Sequence, residues 1–234
     1  MAVVDEIRSA CAWVAQRSRH VRVAHHAIDG YARELAARRT VPTLDPELHL
    51  IEGSREQRAA FTLTLDAINF GSGWFPQLRK RPGRSGYATV ALALRQRFAV
   101  HGPWSAEELA AIGRDDVAAT FGQDANHELV GLWTTALRQL GATLERRYAG
   151  SWCAPVDDAQ GSAVALVESL ATSAGFEDVS TYEGRAVPLY KRAQLAAADL
   201  QLAGVAEFAD VDRLTIFADN VVPHVLRLDG VLNF

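Results

Sequence analysis

The longest regular feature of this chain is an apolar stripe in its middle. Six large apolar residues recur there every three or four positions, namely Leu129, Trp133, Leu137, Leu140, Leu144 and Tyr148. Because an α-helix has 3.6 residues per turn, this spacing places all six on one face. Gly150 then provides a natural stop. The stripe predicts a long amphipathic helix whose apolar face must be buried against other elements.

Shorter segments repeat the same periodicity. Ser105 and Glu108 form a capping box that opens a short helix ending near Gly113. The segment from Phe61 to Leu65 alternates with a period of two, but its flanks suit a helix and we predict one. Residues 71–86, rich in Gly, Pro and basic residues, are predicted to form a long loop. Four other helices are predicted. The first contains Val4, Ile7, Cys11 and Val14, and the second contains Ile28, Tyr31 and Leu35. The third runs from Ser162 to Ser173, and the fourth runs from around Val187 to Gly204. We predict a mainly α fold, compact and helical, with few or no strands.

Length and composition are those of an ordinary globular protein. The chain has 234 residues, 49% of them hydrophobic and 22% charged, which suits a single domain over residues 1–234. A formal net charge of −4 disfavours a protein that coats a nucleic-acid polymer or an anionic membrane. No apolar run approaches the roughly 20 residues of a membrane span, and the acidic start is unlike a secretory signal. We expect a cytoplasmic protein.

Several familiar catalytic motifs are missing from the sequence. It contains no His-Glu-x-x-His motif, no Walker loop, no dinucleotide glycine fingerprint and no Gly-x-Ser-x-Gly elbow. His25 and His26 are adjacent, so on a helix they would point about 100° apart and chelate a metal poorly. Cys11 and Cys153 belong to no paired spacing, and Cys153 is expected to be a small buried residue. We therefore expect neither a metal nor an organic cofactor.

An aspartate, Asp66, lies inside the apolar run 61–70. A buried acid must be paired or hydrogen-bonded, because an unpaired charge in a core is costly. One interpretation is a structural acid that caps a helix or holds an arginine. The other is an anionic anchor for a cationic or amidine-like ligand edge, with Asn69 adding amide hydrogen bonds. The aromatic residues that follow would stack on a planar base or pack in the core: Phe70, Trp74 and Phe75.

Two groups of basic residues accompany these acids. The run from Arg79 to Arg84 contains four cations and forms either a solvated surface or a seat for the phosphate of a small ligand. Lys191 and Arg192 are candidates for phosphate contact at a helix start, where backbone N–H groups favour anions. Their alternative is an exposed first helical turn.

The most specific candidate is a single aspartate late in the chain. Asp219 ends an apolar stretch, and Pro223 follows it at a position typical of a helix start. Asp219 can cap that helix, and a carboxylate there also suits cleavage of an N-glycosidic bond, whose transition state resembles an oxocarbenium ion. The acid would stabilise that cation and deprotonate the incoming water. His224 lies close enough in sequence to orient it, although a histidine on a helix face is usually structural.

Several motifs, in register, resemble the queuosine salvage proteins, a family of queuosine 5′-phosphate N-glycosidases (hydrolases). The matching segments are Thr64 to Phe70, Gly86-Tyr87, Tyr148 to Ser151, Phe176 to Asp178, Tyr190 to Gln194, Leu214 to Asp219 and Gly230 to Leu232. Their order and spacing match from about residue 20 to the end of the chain.

The resemblance implies a mostly helical enzyme whose fold is similar to that of helix-hairpin-helix DNA glycosylases. Such an enzyme would release queuine from queuosine 5′-monophosphate and leave ribose 5-phosphate, acting on a small-molecule nucleotide without a cofactor. Asp219 matches the catalytic acid of the family. Asp66, Asn69, Phe70 and Trp74 fall where base recognition is expected. Queuine carries a secondary amine that is protonated at neutral pH, which makes Asp66 a suitable partner.

Two departures from the family pattern bear on function. Many members have Asp-Tyr-Arg where this chain has Asp219-Asn220-Val221, so a contact made by that arginine would be lost. The family pattern also continues beyond the Gly-Val-Leu motif, whereas this chain stops at Phe234, which suggests that the family's C-terminal segment is lacking. The alternative function is a non-catalytic binder of a deazaguanine nucleotide or of modified tRNA.

Overall fold

A computed structural model describes residues 2–38, 41–217, 219 and 221–234, apart from the side chain of Ala174. The secondary structure is mainly helical, as predicted. The α-helices are α1 (Val3–Arg17), α2 (His25–Ala37), α3 (Arg55–Ala67), α4 (Gly86–His101), α5 (Ala106–Ala111), α6 (Arg114–Phe121), α7 (Glu128–Tyr148), α8 (Ala154–Asp158), α9 (Ala163–Ala171), α10 (Lys191–Leu202) and α11 (Val221–Leu228). Short 3₁₀ helices cover Ser72–Gln77, Ala174–Phe176 and Val211–Arg213. Within the described ranges, no helix has the length and apolar character needed to cross a membrane.

Two small antiparallel sheets accompany the helices in the described part of the chain. β1 (Arg22–Val23) pairs with β4 (Leu232–Asn233), which brings residues near both ends of the chain together. β2 (Val179–Tyr182) and β3 (Arg185–Pro188) form a hairpin. Its two turn residues both have positive φ, the conformation whose twist matches that of the flanking strands. The expectation of few strands is confirmed.

The long helix predicted from the apolar stripe is confirmed as α7. All six stripe residues are buried, and they form the centre of the hydrophobic core. α7 packs tightly on α5 because Gly141 has no side chain at the crossing. A Cβ on Gly141 would lie 2.6 Å from the carbonyl oxygen of Ala106, which is far inside van der Waals contact. The predicted capping box opens α5, with Glu108 N donating to Ser105 Oγ at 3.0 Å and Ser105 N donating to Glu108 Oε2 at 2.7 Å.

Helices α3 and α10 lie side by side and run antiparallel. Arg58 Nη1, near the start of α3, donates to the carbonyl oxygen of Ala203, just after α10, at 2.5 Å. Arg192 Nη1, near the start of α10, donates to the carbonyl oxygen of Ala67, the last residue of α3, at 2.8 Å. These contacts place the carboxyl end of α3 beside the amino end of α10. Small buried residues of α10 allow the close approach: Ala193, Ala196 and Ala197.

Several sequence predictions need correction. The helix expected from around Val187 begins only at Lys191, because residues 185–188 pair with β2 and Tyr190 adopts a left-handed conformation. The predicted loop 71–86 contains a 3₁₀ helix. α4 and α6 were not predicted, since α4 buries residues on more than one face and lacks a single apolar stripe. Cys153 is buried as expected, whereas Cys11 is exposed despite its place in the predicted apolar pattern of α1.

Candidate active site

A pocket of about 510 Å³ lies where the end of α3, the 3₁₀ helix 72–77, α4 and α10 converge. Its volume is typical of small-molecule sites, which range over roughly 300–1,000 Å³. The walls are largely apolar: Phe70, Phe75, Tyr87, Leu195, Phe217 and Val221. The polar lining residues are Asn69, Ser72, Lys191, Asp199 and Asp219. Flat aromatic walls with a few polar groups suit a planar ligand that has polar edges.

The strongest polar contact in this pocket is an ion pair between Lys191 and Asp219. Lys191 Nζ donates to Asp219 Oδ2 at 2.8 Å and to the backbone carbonyl oxygen of Asn69 at 3.3 Å. Lys191 is the first residue of α10 and Asn69 follows the end of α3, so the packing of these two helices positions the pair. The Lys191 side chain is 17% exposed and that of Asp219 is 38% exposed. The carboxylate is therefore held in place while still accessible from the pocket.

Asp66 lies beneath the pocket with little hydrogen bonding. Its side chain is 1% exposed, and Asn69 Nδ2 donates to Oδ1 over a long 3.4 Å. Oδ2 is buried and has no hydrogen-bond partner among the described residues. Burial raises the pKa of Asp66 well above its ordinary value, and the nearby carboxylate of Asp199 raises this pKa further. The burial of Asp66 thus disfavours its charged form.

A second acid, Asp199, lines the pocket, whereas Asp66 does not. Asp199 lies eight residues after Lys191 on α10, about two turns further along roughly the same face. Within the described ranges, no side chain forms a hydrogen bond or ion pair with its carboxylate. Burial raises the pKa of Asp199 to about 6, and the charge of His49 acts in the opposite direction. Asp199 is thus charged at neutral pH and becomes protonated near pH 6.

The hydroxyl of Tyr87 is hydrogen-bonded to a histidine. The Tyr87 hydroxyl lies 2.8 Å from His49 Nε2, and His49 Nδ1 lies 3.0 Å from the backbone carbonyl oxygen of Asp45. A carbonyl can only accept, so Nδ1 carries a proton, and in the Nδ1–H tautomer of the ring Nε2 accepts from the Tyr87 hydroxyl. Burial raises the pKa of Tyr87, and the carboxylates of Asp66 and Asp199 add to the effect. The phenol stays neutral, and its oxygen remains free to accept a hydrogen bond from a ligand.

The predicted stacking residues divide into two groups. Phe70 and Phe75 line the pocket, whereas Trp74 does not and instead packs against the hydrophobic core. The guanidinium carbon of Arg192 lies 4.7 Å from the centre of the Phe70 ring. Phe75 packs directly on Gly86, because a Cβ at that glycine would lie 2.5 Å from Phe75 Cγ. Both pocket rings are therefore supported by their neighbours.

Arg192, a predicted phosphate contact, makes its polar contacts with the protein. Its Nε donates to Asp178 Oδ1 at 2.9 Å, and its Nη1 donates to the carbonyl oxygens of Ala67 and Gly175 at 2.8 and 2.6 Å. The side chain is 9% exposed. Arg192 thus ties α10 to α3 in this structure, and a contact with ligand stays a prediction.

The remaining predicted residues lie away from this pocket. His224 is exposed on α11 and does not line it. In the basic loop, Arg84 pairs with Glu47, while Arg79 and Lys80 are exposed. Asn220, at the departure from the family motif, lies outside the described residues. Among residues 2–38, 41–217, 219 and 221–234, no three His, Cys, Asp or Glu side chains gather closely enough to hold a metal ion.

The fold and the pocket define a class: a mainly helical protein with an aromatic-walled small-molecule site that contains a lysine–aspartate pair. The chain belongs to the queuosine salvage protein family, whose model matches residues 48–234. A relative from Sphaerobacter thermophilus is 37% identical over 94% of this chain and 71% of its own length. Relatives from Dictyostelium discoideum and Bos taurus are each 27% identical over 97% of this chain, and over 74% and 72% of their own lengths. All three are named queuosine 5′-phosphate N-glycosylase/hydrolase.

Residues predicted from distant parts of the sequence meet in the pocket. Asn69, Phe70, Lys191 and Asp219 all line it, and Asp66 lies directly beneath. Their roles toward a ligand stay predictions.

Sequence reasoning missed two important residues. Asp199 did have a signal, because Lys191, Leu195 and Asp199 recur at intervals of four on one helical face. His49 had none, because its partner Tyr87 lies 38 positions away in sequence.

Proposed function

We propose that this protein hydrolyses the N-glycosidic bond of queuosine 5′-phosphate and releases queuine and ribose 5-phosphate. The observation that carries the proposal is the Lys191–Asp219 pair at the edge of an aromatic-walled pocket. Membership of the queuosine salvage family and the shared name of the three relatives support it.

The dimensions of the pocket suit a nucleoside. Lys191 and Asp199 mark two levels along α10 that are eight residues apart, or about 12 Å at 1.5 Å per residue. A base between Phe70 and Phe75 would extend toward Asp199, and its sugar would lie toward Asp219. This orientation places the apolar stacking surface on the base and the fixed carboxylate at the anomeric carbon.

Asp219 would act on the developing cation. As the bond between the anomeric carbon and the base nitrogen breaks, its electron pair leaves with the base and the sugar becomes oxocarbenium-like. A carboxylate fixed beside that carbon stabilises the positive charge and accepts a proton from the attacking water. Lys191 would serve chiefly to hold Asp219, since its ammonium already bridges that carboxylate and the Asn69 carbonyl.

The run of basic residues from Arg79 to Arg84, the basic loop, is a better candidate than Lys191 for binding the phosphate. It follows the 3₁₀ helix that carries Phe75 and precedes the α4 residue Tyr87, and both residues line the pocket. Arg79 and Lys80 are exposed there, and within the described ranges neither side chain has an ion-pair partner. These two exposed cations follow Phe75 by four and five residues, and they can bind a dianion without displacing an existing salt bridge.

Incubation with queuosine 5′-phosphate, followed by chromatography and mass spectrometry of free queuine, tests the proposal. We expect release by the wild type and a loss of at least about a hundredfold in Asp219→Asn, which removes the charge and keeps the shape. Asp212→Asn, the same change at an exposed aspartate close in sequence, should retain full activity.

Two other outcomes would point elsewhere. Tight binding of the nucleotide by the wild type with no queuine released would favour the non-catalytic binder. Binding to modified tRNA that weakens steeply with added salt would favour a polymer ligand, because each phosphate contact releases counterions.

A further inference from the structure

We propose that Asp199 and Tyr87 bind the protonated secondary amine carried by the base, so that the pocket selects bases with a cationic substituent. The inference rests on the proposed function for the identity of the base. It gives a role to Asp199, which lies outside the sequence motifs, and to Tyr87, which takes no part in the Lys191–Asp219 chemistry.

The charges around the pocket motivate this assignment. Asp219 is compensated by Lys191 at 2.8 Å, and burial disfavours the charged form of Asp66 by raising its pKa. Asp199 lines the pocket, and no described side chain forms a hydrogen bond or ion pair with its carboxylate. The groups that face it are Asp66 on α3, Tyr87 on α4, His49 before α3, and Lys191 at the start of its own helix. Lys191 is already paired with Asp219, and His49 offsets only part of the effect of burial on Asp199, so a ligand cation in direct contact would complete the compensation.

The hydrogen-bonding groups match the ligand as well. A protonated secondary amine has two N–H donors and no acceptor. The pocket offers two acceptors at this end, the Asp199 carboxylate and the Tyr87 oxygen, which lies 2.8 Å from His49 Nε2. A neutral guanine edge has donors too, but it would leave the charge of Asp199 uncompensated in a partly desolvated site. A positively charged ammonium group therefore suits Asp199 and Tyr87 better than the neutral, guanine-like edge of the base does.

Asp66 takes a positioning role in this arrangement. It is buried below the lining and receives the amide of Asn69, a residue that lines the pocket and whose carbonyl binds Lys191. Its negligible exposure keeps it from direct contact with a ligand.

Isothermal titration calorimetry with two free bases tests the proposal. Queuine carries the amine, and 7-deazaguanine is the same bicycle without the amine-bearing substituent. For queuine, Asp199→Asn should weaken binding roughly ten- to a hundredfold, the usual effect of losing a charge-assisted hydrogen bond. For 7-deazaguanine, the same variant should bind like the wild type. Tyr87→Phe should show the same selectivity with a smaller loss, and Asp212→Asn serves as the exposed control. Equal losses for both bases would overturn the proposal, since Asp199 would then bind the guanine edge.

A second test uses only the wild-type protein, so it does not depend on whether a substituted protein folds. Queuine affinity should fall about tenfold for each pH unit below about 6, where Asp199 becomes protonated, and 7-deazaguanine affinity should not. A queuine affinity that is flat between pH 4.5 and 8 would refute the inference. Failure of the proposed function looks different: the wild type would release no queuine from queuosine 5′-phosphate, whatever the two bases show.

Discussion

Replacing Asp199 by asparagine should stabilise the unliganded protein at neutral pH. The carboxylate lies partly buried in the pocket, and no described cation pairs with it. Burial moves its pKa from 3.8 to about 6. A difference of this size corresponds to a cost of about 3 kcal/mol when the group is ionised in the folded protein. Asparagine has nearly the same shape and no charge, so the variant should recover up to about 3 kcal/mol of unfolding free energy.

The pH dependence of this gain identifies its cause. Because the pKa is higher in the folded protein than in the unfolded chain, folding is coupled to proton uptake between pH 3.8 and about 6. The wild type is therefore penalised progressively as the pH rises through this window, and fully above it. The advantage of Asp199→Asn should be close to zero at pH 4, should grow up to about pH 6 and should then stay constant.

Urea denaturation followed by circular dichroism at pH 4, 5, 6, 7 and 8 measures this effect. Asp212→Asn should change the unfolding free energy by less than about 0.5 kcal/mol at every pH, because that aspartate is exposed. A stability gain in Asp199→Asn that does not vary with pH would refute the electrostatic reasoning. A variant less stable than the wild type at pH 8 would refute it as well.

The stability gain of Asp199→Asn and the proposed binding of an amine by Asp199 both follow from the negative charge of this carboxylate. A carboxylate that destabilises the empty pocket is available to compensate a cationic ligand. The Asp199→Asn variant should then gain stability and lose affinity for queuine together, a combination often found when binding residues are replaced.

Three further changes test the packing around the site. Gly86→Ala should destabilise the protein by about 1–3 kcal/mol and weaken queuine binding, because its Cβ would displace the Phe75 ring; calorimetry and urea denaturation report the two effects. Gly141→Ala should lower the unfolding free energy by at least about 2 kcal/mol, because its Cβ would meet the α5 backbone. Gly30→Ala is the control in the same denaturation assay; nothing lies within 4 Å of a Cβ there, so it should be neutral or stabilising. Arg192→Met should cost about 3–5 kcal/mol in thermal and urea unfolding, because Asp178 loses its ion-pair partner and keeps only the hydrogen bond from the backbone N–H of residue 192. A stable variant with an increased KM alone would instead favour the predicted ligand contact.

Much of the fold followed from local patterns in the sequence. The spacing of the apolar stripe predicted α7, and the pair Ser105 and Glu108 predicted the start of α5. Both signals depend on residues within a few positions of each other, so the chain carries them without reference to its tertiary structure. The start of α10 was misplaced because its boundary depends on β2, a strand that pairs with residues 185–188 across a turn.

The site was only partly determined at the level of sequence. Motifs identified Asp66, Lys191 and Asp219 as candidates, because an acid or a base in an apolar context needs a partner. Only the tertiary structure decided which partner each one has. Lys191 bridges Asn69 and Asp219 across 122 and 28 positions, while Asp199 was left without a described partner. Charge and protonation in a pocket depend on burial and on neighbours brought together from distant segments, and neither can be read from spacing along the chain.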